Sequence, residues 1–405
     1  MIVNIDQSVD DIYPKAVKLR HYLHENPEES SKEFSTSEFL KQKALDLGLI
    51  VEELLPTDKT PQFDSAGTGF IAILDTGREG KTIGLRTDID ALPIVENQQN
   101  LSSDRSVISK NVGVMHACAH DGHMTTVMSA MELLVSIKKQ LKGKIIFIFE
   151  EGEENNTGIW PMVELLKTKN VDAIYGNHLA SFLETGKIAA DAGPVTSSTA
   201  RVRMFVHGRG GHASRPDKSI NPIFAAANIV TNLASAWVNQ LDIEKTITLG
   251  ITQFQAGEAR NVFPEEVYIG GTLRYFDEQI GEDASNVIRS VATNVAAAHL
   301  CTMEFPEDFG PSTPSVVNDP ELSKIVQNFV EKQYPNSLLK NVKWFASETF
   351  SRYQEVAPCV FVFHGIKNDQ VGSGAEHHNE KFDMDDEALK YSIGTMIGFA
   401  IEMLG

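Results

Sequence analysis

The sequence predicts a three-layer α/β domain interrupted by a smaller inserted α+β domain, the insertion running β-α-β-β-α-β in the ferredoxin-like order. Three observations predict it. Short apolar runs that do not alternate in polarity (GFIAIL at 69–74, IIFIF at 145–149, CVFVF at 359–363) are interleaved with helix-spaced patterns, the texture of a buried sheet between helices. Near Gly193 the texture changes to alternation, as Ala200, Val202, Met204 and Val206 alternate with polar residues. After Pro311 the first texture returns. The α/β domain is therefore expected over 1–193 and 310–405, with the insertion over 194–309.

Taken in order, Val9, Ile12, Ala16, Leu19 and Leu23 are spaced by threes and fours, which predicts an amphipathic first helix. Ser35 with Glu38 reads as a capping box for a second, and Gly48 as its stop. Strands are expected at 69–74, 82–85, 145–149 and 173–175, with a helix through Val127, Met131 and Leu134. In the insertion, Asn221-Pro222 is an N-cap and first-turn pair opening a helix with Ile223, Ala227, Val230, Ala234 and Trp237 on one face. Strands at 246–254 and 267–276, a helix over about 283–299 and a short strand ending near Phe305 complete the unit. A helix from Pro320, the strand CVFVF and a closing helix from about Asp385 follow.

Composition narrows the function. The 405 residues carry 36 Lys and Arg against 55 Asp and Glu, a formal charge of −19, which repels nucleic acid and anionic lipid. No apolar run of about 18 residues exists, so no membrane span is expected. The N-terminus carries acids where a secretory signal needs a basic flank, and the 3 cysteines are too few and scattered for a disulfide framework. Both argue for a cytoplasmic protein, and the acidic charge for small partners.

The densest chemical signal is Met115-His116-Ala117-Cys118-Ala119-His120-Asp121-Gly122-His123. If the stretch before Asp121 is extended, Cys118 and His120 face the same side, and a thiolate beside an imidazole is half a site for a borderline-soft cation. The same pattern also suits a buried cysteine with histidines on a turn. Asp121 is placed to cap the helix that follows. The second signal is Glu150-Glu151-Gly152-Glu153-Glu154, straight after IIFIF, where open α/β sheets place their sites. Adjacent Glu153 and Glu154 point different ways, so one can hold a metal while the other takes a proton from water. His178, after a strand, and His378, in the loop before the last helix, extend the set.

These residues carry a family resemblance. Arg20-x-x-Leu23-His24-x-x-Pro27-Glu28 with Glu33 and Thr36, then Arg86-Thr87-Asp88-Ile89-Asp90-Ala91-Leu92-Pro93, then the Cys-x-His-Asp-Gly-His stretch and Glu153-Glu154 resemble the M20 metallopeptidases, in their amidohydrolase branch. Gly208-Arg209-Gly210-Gly211-His212-Ala213, Gly257-x-Ala259-x-Asn261-Val262 and Gly271-Thr272-x-Arg274 continue the match, which spans about residues 12–400.

The resemblance implies a catalytic α/β domain with an inserted dimerisation domain, a homodimer, and a pair of divalent ions held by Cys118, His120, Glu154, His178 and His378. It implies Glu153 as general base and later acid, His212 supplied across the dimer to the oxyanion, and Asn261 with Arg274 as a clamp on the substrate carboxylate. Arg86 stands where most of the wider family has a metal-binding His, which leaves Asp88 to orient a ligand. Zn, Mn, Co and Ni all tolerate the donor mix. His377 is an alternative to His378, though the spacing to Phe382-Asp383 favours the latter.

The implied reaction is hydrolysis of a small N-acyl amino acid by metal-activated water. A dipeptidase or carboxypeptidase with the same machinery is the rival, and an inactive binding protein of the same fold a third reading. A free substrate ammonium needs an acidic partner, for which Glu150 or Glu151 is the candidate. The chain also departs from the family pattern: Ala119 stands in place of Gly, Glu150-Glu151-Gly152 in place of Gln-Pro-Ala, Thr349 in place of Asp and Glu380 in place of Pro. Ala119 is strained if that position needs positive φ.

Overall fold

The computed structural model describes residues 4–57 and 65–405, and its first element is helix α1 (Ile5–Glu25), capped by the Asn4 side chain on the Gln7 N–H. Val9, Ile12, Ala16 and Leu23 are buried along one face, as their spacing requires. Helix α2 (Phe34–Asp46) corrects the expected capping box: Glu33, not Ser35, is the N-cap residue, and it makes no side-chain cap bond. The Glu28 carboxylate instead accepts the exposed first-turn N–H groups of Ser35 and Thr36. Gly48 ends the helix at φ 77°, as read.

The remaining helices are α3 (His120–Ser136), α4 (Ile159–Lys167), α5 (Pro222–Gln240), α6 (Glu278–Ala298), α7 (Pro320–Gln333) and α8 (Ala388–Leu404). The chain divides into two units, one of Met1–Gly193, Val317–Val342 and Arg352–Gly405, the other of Pro194–Val316 and Lys343–Ser351.

The larger unit is built on an eight-stranded sheet, in the order 50–53, 70–75, 144–150, 82–88, 173–184, 359–367, 188–189, 338–339. Strand 82–88 lies parallel to 144–150 on one side and to 173–184 on the other, and 173–184 is parallel to 359–367. The chain leaves 82–88 through α3 to one neighbour, then returns through α4 to the other. That reversal is the switch point of an open α/β sheet, and ligands bind outside the carboxyl ends of its strands. Those ends carry Asp88 and Glu150. Strands 82–88, 144–150 and 359–367 are buried on both faces nearly throughout, which is why their sequences read as apolar runs, and the Phe70 and Phe149 rings stack at 4.3 Å across one pair.

In the smaller unit strand 198–207, α5, strands 247–256 and 266–275, α6 and strand 302–304 follow in the expected order. Its antiparallel sheet runs 247–256, 266–275, 198–207, 302–304. Ala200, Val202, Met204 and Val206 face the core against α5 and α6. Two details differ from expectation. Helix α6 starts at Glu278 because the Asp277 carboxylate caps the Gln279 and Ile280 N–H groups. Residues 310–313 pair with strand 198–207, and 343–351 join this unit, beyond the boundary read at 309.

Candidate metal centre

The stretch before α3 is not extended, contrary to the sequence reading. Ala119 takes a left-handed conformation (φ 65°, ψ 19°), and His120 is already the first residue of α3. The turn, not strand alternation, brings Cys118 and His120 together: the donor atoms of Cys118, His120 and Glu154 lie within 4.8 Å of one another. A second group, Cys118, His178 and His377, meets the same limit, so Cys118 belongs to both. Its Sγ is 3.6 Å from His178 Nε2. His378, also left-handed at φ 63°, places Nε2 3.3 Å from Glu154 Oε1. All five expected ligands thus converge in the larger unit, and His377 joins them.

The outer nitrogens of the imidazoles are fixed. His120 Nδ1 lies 2.9 Å from the Asp90 carbonyl and 3.1 Å from its carboxylate, so Nδ1 carries the proton and Nε2 faces Asp88 at 3.6 Å and Glu154 at 3.9 Å. His178 donates Nδ1–H to the Leu179 carbonyl, which leaves Nε2 toward Cys118. A third cluster, Asp88, His120 and His123, has the spacing of a site as well. It is scaffold: His123 gives Nδ1–H to Asp88 at 2.8 Å and accepts the Leu179 N–H on Nε2 at 2.9 Å, which uses both ring nitrogens.

Asp88 also accepts from Arg86, whose guanidinium reaches the Glu150 carboxylate too, and the Tyr353 hydroxyl donates to Glu150. Arg86 at the place of a metal-binding His therefore locks the floor of the site. The bond to the outer nitrogen of His120 comes from Asp90, a residue the sequence reading quoted but gave no task. The Asp-x-Asp alternation at the end of a parallel strand was its signal.

The electrostatics suit a cation. Burial, then Glu154, pushes the Cys118 thiol well above its ordinary range. Burial opposes charge on His120, yet Asp88, Asp90 and Cys118 raise it well above the usual histidine value. Burial, then the neighbouring His123 and His377, holds His178 well below that value, so it stays a neutral donor. Glu154 Oε1 is buried and accepts no hydrogen bond although two imidazole nitrogens face it. Sulfur, imidazole and carboxylate donors around an unsatisfied carboxylate oxygen fit divalent metal ions.

Glu153 sits half-buried in the single turn 153–155, next to Glu154, and its charge adds to the upward push on Cys118. Gly152, which precedes it, has φ 58°, and a Cβ there would come 1.8 Å from Thr157 Oγ1, so Gly is required there. Glu150 and Glu151 are both fully buried. Glu150 is held by Arg86 and Tyr353; Glu151 accepts the N–H groups of Ala66, Thr68 and Gly69. Neither is available to a substrate's ammonium, which corrects that expectation.

In the smaller unit His212 is exposed and pairs in register with Val262, while the Ala213 N–H donates to the Asn261 carbonyl, so His212 and Asn261 share one hairpin-like corner. The glycines before His212 serve close approach rather than positive φ: a Cβ on Gly211 would come 2.1 Å from Ser219 Oγ. Arg274 is half-buried on strand 266–275 and donates to Ser347 at 3.2 Å. Among the described residues no carboxylate pairs with it, and burial lowers its pKa.

The sequence profile of peptidase family M20/M25/M40 matches residues 84–401. The chain belongs to this family. A thermostable carboxypeptidase from Saccharolobus solfataricus is 31% identical over 96% of this chain and 95% of its own. An N-acetylcysteine deacetylase from Bacillus subtilis is 32% identical over 93% of each. Among solved structures, a dinuclear metal-binding M20 peptidase from Bacillus subtilis superposes with a TM-score of 0.82 at 28% identity, covering 98% of this chain and 99% of that one. Membership of the M20 family makes the protein a metal-dependent hydrolase of amide bonds. No helix among the described residues is long and apolar enough to cross a membrane.

Proposed function

We propose that the protein hydrolyses the amide bond of small N-acyl amino acids. The observation that carries this reading is the meeting of Cys118 with His120 and Glu154 on one side and with His178 on the other, while His378 Nε2 lies 3.3 Å from Glu154 Oε1, beside the Glu153-Glu154 turn. Two divalent ions per subunit, drawn from Zn, Mn, Co and Ni, would be held by Cys118, His120, Glu154, His178 and His378. When bound they would supply Lewis acidity, lowering the pKa of water and polarising the scissile carbonyl.

The chain's own residues do the rest. Glu153 takes the proton of the attacking water on a carboxylate oxygen and returns it to the leaving nitrogen. Asp90 and the Leu179 carbonyl hold the two imidazoles by their outer nitrogens, and Asp88 with Arg86 and His123 fixes the floor beneath them. Arg274, partly desolvated and without an acid partner among the described residues, is suited to a substrate carboxylate. His212 would be given to the oxyanion from the smaller unit of a second copy, which makes the working form a homodimer. The −19 charge and three cysteines without disulfides fit a cytoplasmic setting.

The deacetylase and the carboxypeptidase among the relatives mark the two substrate classes. Occupied Glu150 and Glu151 favour the blocked amine. The test is a hydrolysis screen of N-acetyl amino acids against the matching free dipeptides, with each metal restored to the stripped protein. Faster turnover of the free dipeptides would overturn the assignment.

A further inference from the structure

Behind the Glu153-Glu154 turn lie two buried carboxyls that share one hydroxyl. Thr68 Oγ1 is 2.8 Å from Glu33 Oε2 and 2.8 Å from Glu151 Oε2. A hydroxyl has a single proton and can donate to only one of them, so the other oxygen must itself bring a proton. Glu151 Oε2 is already surrounded by donors, the N–H groups of Thr68 and Gly69, and its Oε1 accepts from Ala66. The proton therefore belongs to Glu33. Glu33 Oε1 accepts the Ser31 N–H at 2.9 Å and the Gly152 N–H at 2.8 Å, which leaves Oε2 to carry it.

We propose that Glu33 is a positioning residue held as the neutral acid: its Oε2–H donates to Thr68, whose hydroxyl donates to Glu151, while its Oε1 anchors Gly152 and so the turn bearing Glu153 and Glu154. Burial and then the charge of Asp90 raise this carboxyl to about 7, in the same direction as the geometry. Among the described residues the acids that face it are Asp90 and, through Thr68, Glu151. Ser31 Oγ reaches Thr157 Oγ1 at 2.9 Å, and the Thr157 N–H returns to the Gly152 carbonyl, so the turn is gripped at both ends. Glu151, a second carboxylate on the same hydroxyl, makes the protonated partner necessary in this chain. The importance of the turn rests on the reading of Glu153 and Glu154 given above.

An amide reproduces the pattern of a neutral acid, with one carbonyl accepting two N–H groups and one N–H donating to Thr68. Glu33→Gln is therefore expected to keep kcat within about threefold, and Glu33→Ala to lose on the order of 10²-fold in kcat with little change in KM, because the turn is misplaced. Zn²⁺ affinity of the stripped protein, measured by calorimetry, is expected to divide the two variants the same way. Infrared spectra of the stripped wild type just below neutral pH should show the carbonyl band of a buried carboxylic acid, absent in Glu33→Gln. Equal losses in both variants, or a band missing from the wild type, would overturn the proposal. Should the wild type hydrolyse none of the N-acyl amino acids, the substrate reading fails, while the band and the metal affinities still decide the role of Glu33.

Discussion

Asp90 grips His120 Nδ1 with its backbone carbonyl at 2.9 Å and its carboxylate at 3.1 Å, and the same carboxylate accepts the Ser30 hydroxyl and the Glu154 N–H. One side chain thus ties a candidate ligand from α3, the segment after α1 and the turn after strand 144–150. Asp90→Asn should weaken metal binding about 10–100-fold, the range found for partners that orient a ligating His. Its amide can still meet His120, but one of its ends becomes a donor facing Ser30 and Glu154, where only an acceptor fits. Titration of the stripped protein with Zn²⁺ measures it, and wild-type affinity would remove Asp90 from this role.

Left-handed Ala119 makes a separate test. The turn that brings Cys118 to His120 needs φ near 65°, where an L side chain costs about 1–2 kcal/mol. Ala119→Gly relieves that cost, and the greater freedom of Gly in the unfolded chain offsets part of it. The net expectation is a gain of roughly 0.5–1 kcal/mol in urea unfolding, with metal affinity unchanged. A loss of stability would show that the Ala methyl group contributes packing that outweighs the strain.

The two residues illustrate what the sequence disclosed. The convergence of Cys118, His120, Glu154, His178 and His378 was legible because chemistry-bearing types cluster after apolar strands, and the parallel sheet delivers those ends to one place. The path between Cys118 and His120 was not legible, since alternation and a left-handed turn both put the donors on one side. The tasks of Asp90, Glu33 and Glu151 were hidden for another reason: hydrogen bonds between residues far apart in the chain decide which acid faces a cation and which is consumed by backbone N–H groups. In α2 a distant Glu28 did the work that local spacing had given to Ser35 and Glu38.

His24 gives the pH dependence. Burial opposes its charge, but hydrogen bonds to Asp121 at 2.8 Å and Glu96 at 2.9 Å raise it from 6.5 to about 9. A histidine with a raised folded pKa adds stability that is whole below the unfolded value of 6.5 and is lost as pH climbs through about 9. The stake is on the order of 3 kcal/mol. The difference in unfolding free energy between wild type and His24→Gln should shrink across that window. A difference that stays constant with pH would mean that the ring binds no extra proton in the folded state.

Neighbouring carboxylates in one turn are expected to fail in different ways. Glu154 Oε1 lacks a hydrogen bond and faces His378 Nε2 at 3.3 Å and His120 Nε2 at 3.9 Å, so Glu154→Gln replaces an anionic donor with a neutral one and should lose metal. In the proposed mechanism Glu153 moves the proton, and Glu153→Gln keeps the shape of the turn but cannot accept one. It should bind metal as the wild type does and lose on the order of 10²-fold or more in kcat, with KM for an N-acyl amino acid nearly unchanged. Metal content by atomic emission and steady-state kinetics on the same samples separate the two. Metal loss in Glu153→Gln together with retained metal in Glu154→Gln would exchange the assignments, and wild-type turnover in Glu153→Gln would deny this glutamate the proton transfer altogether.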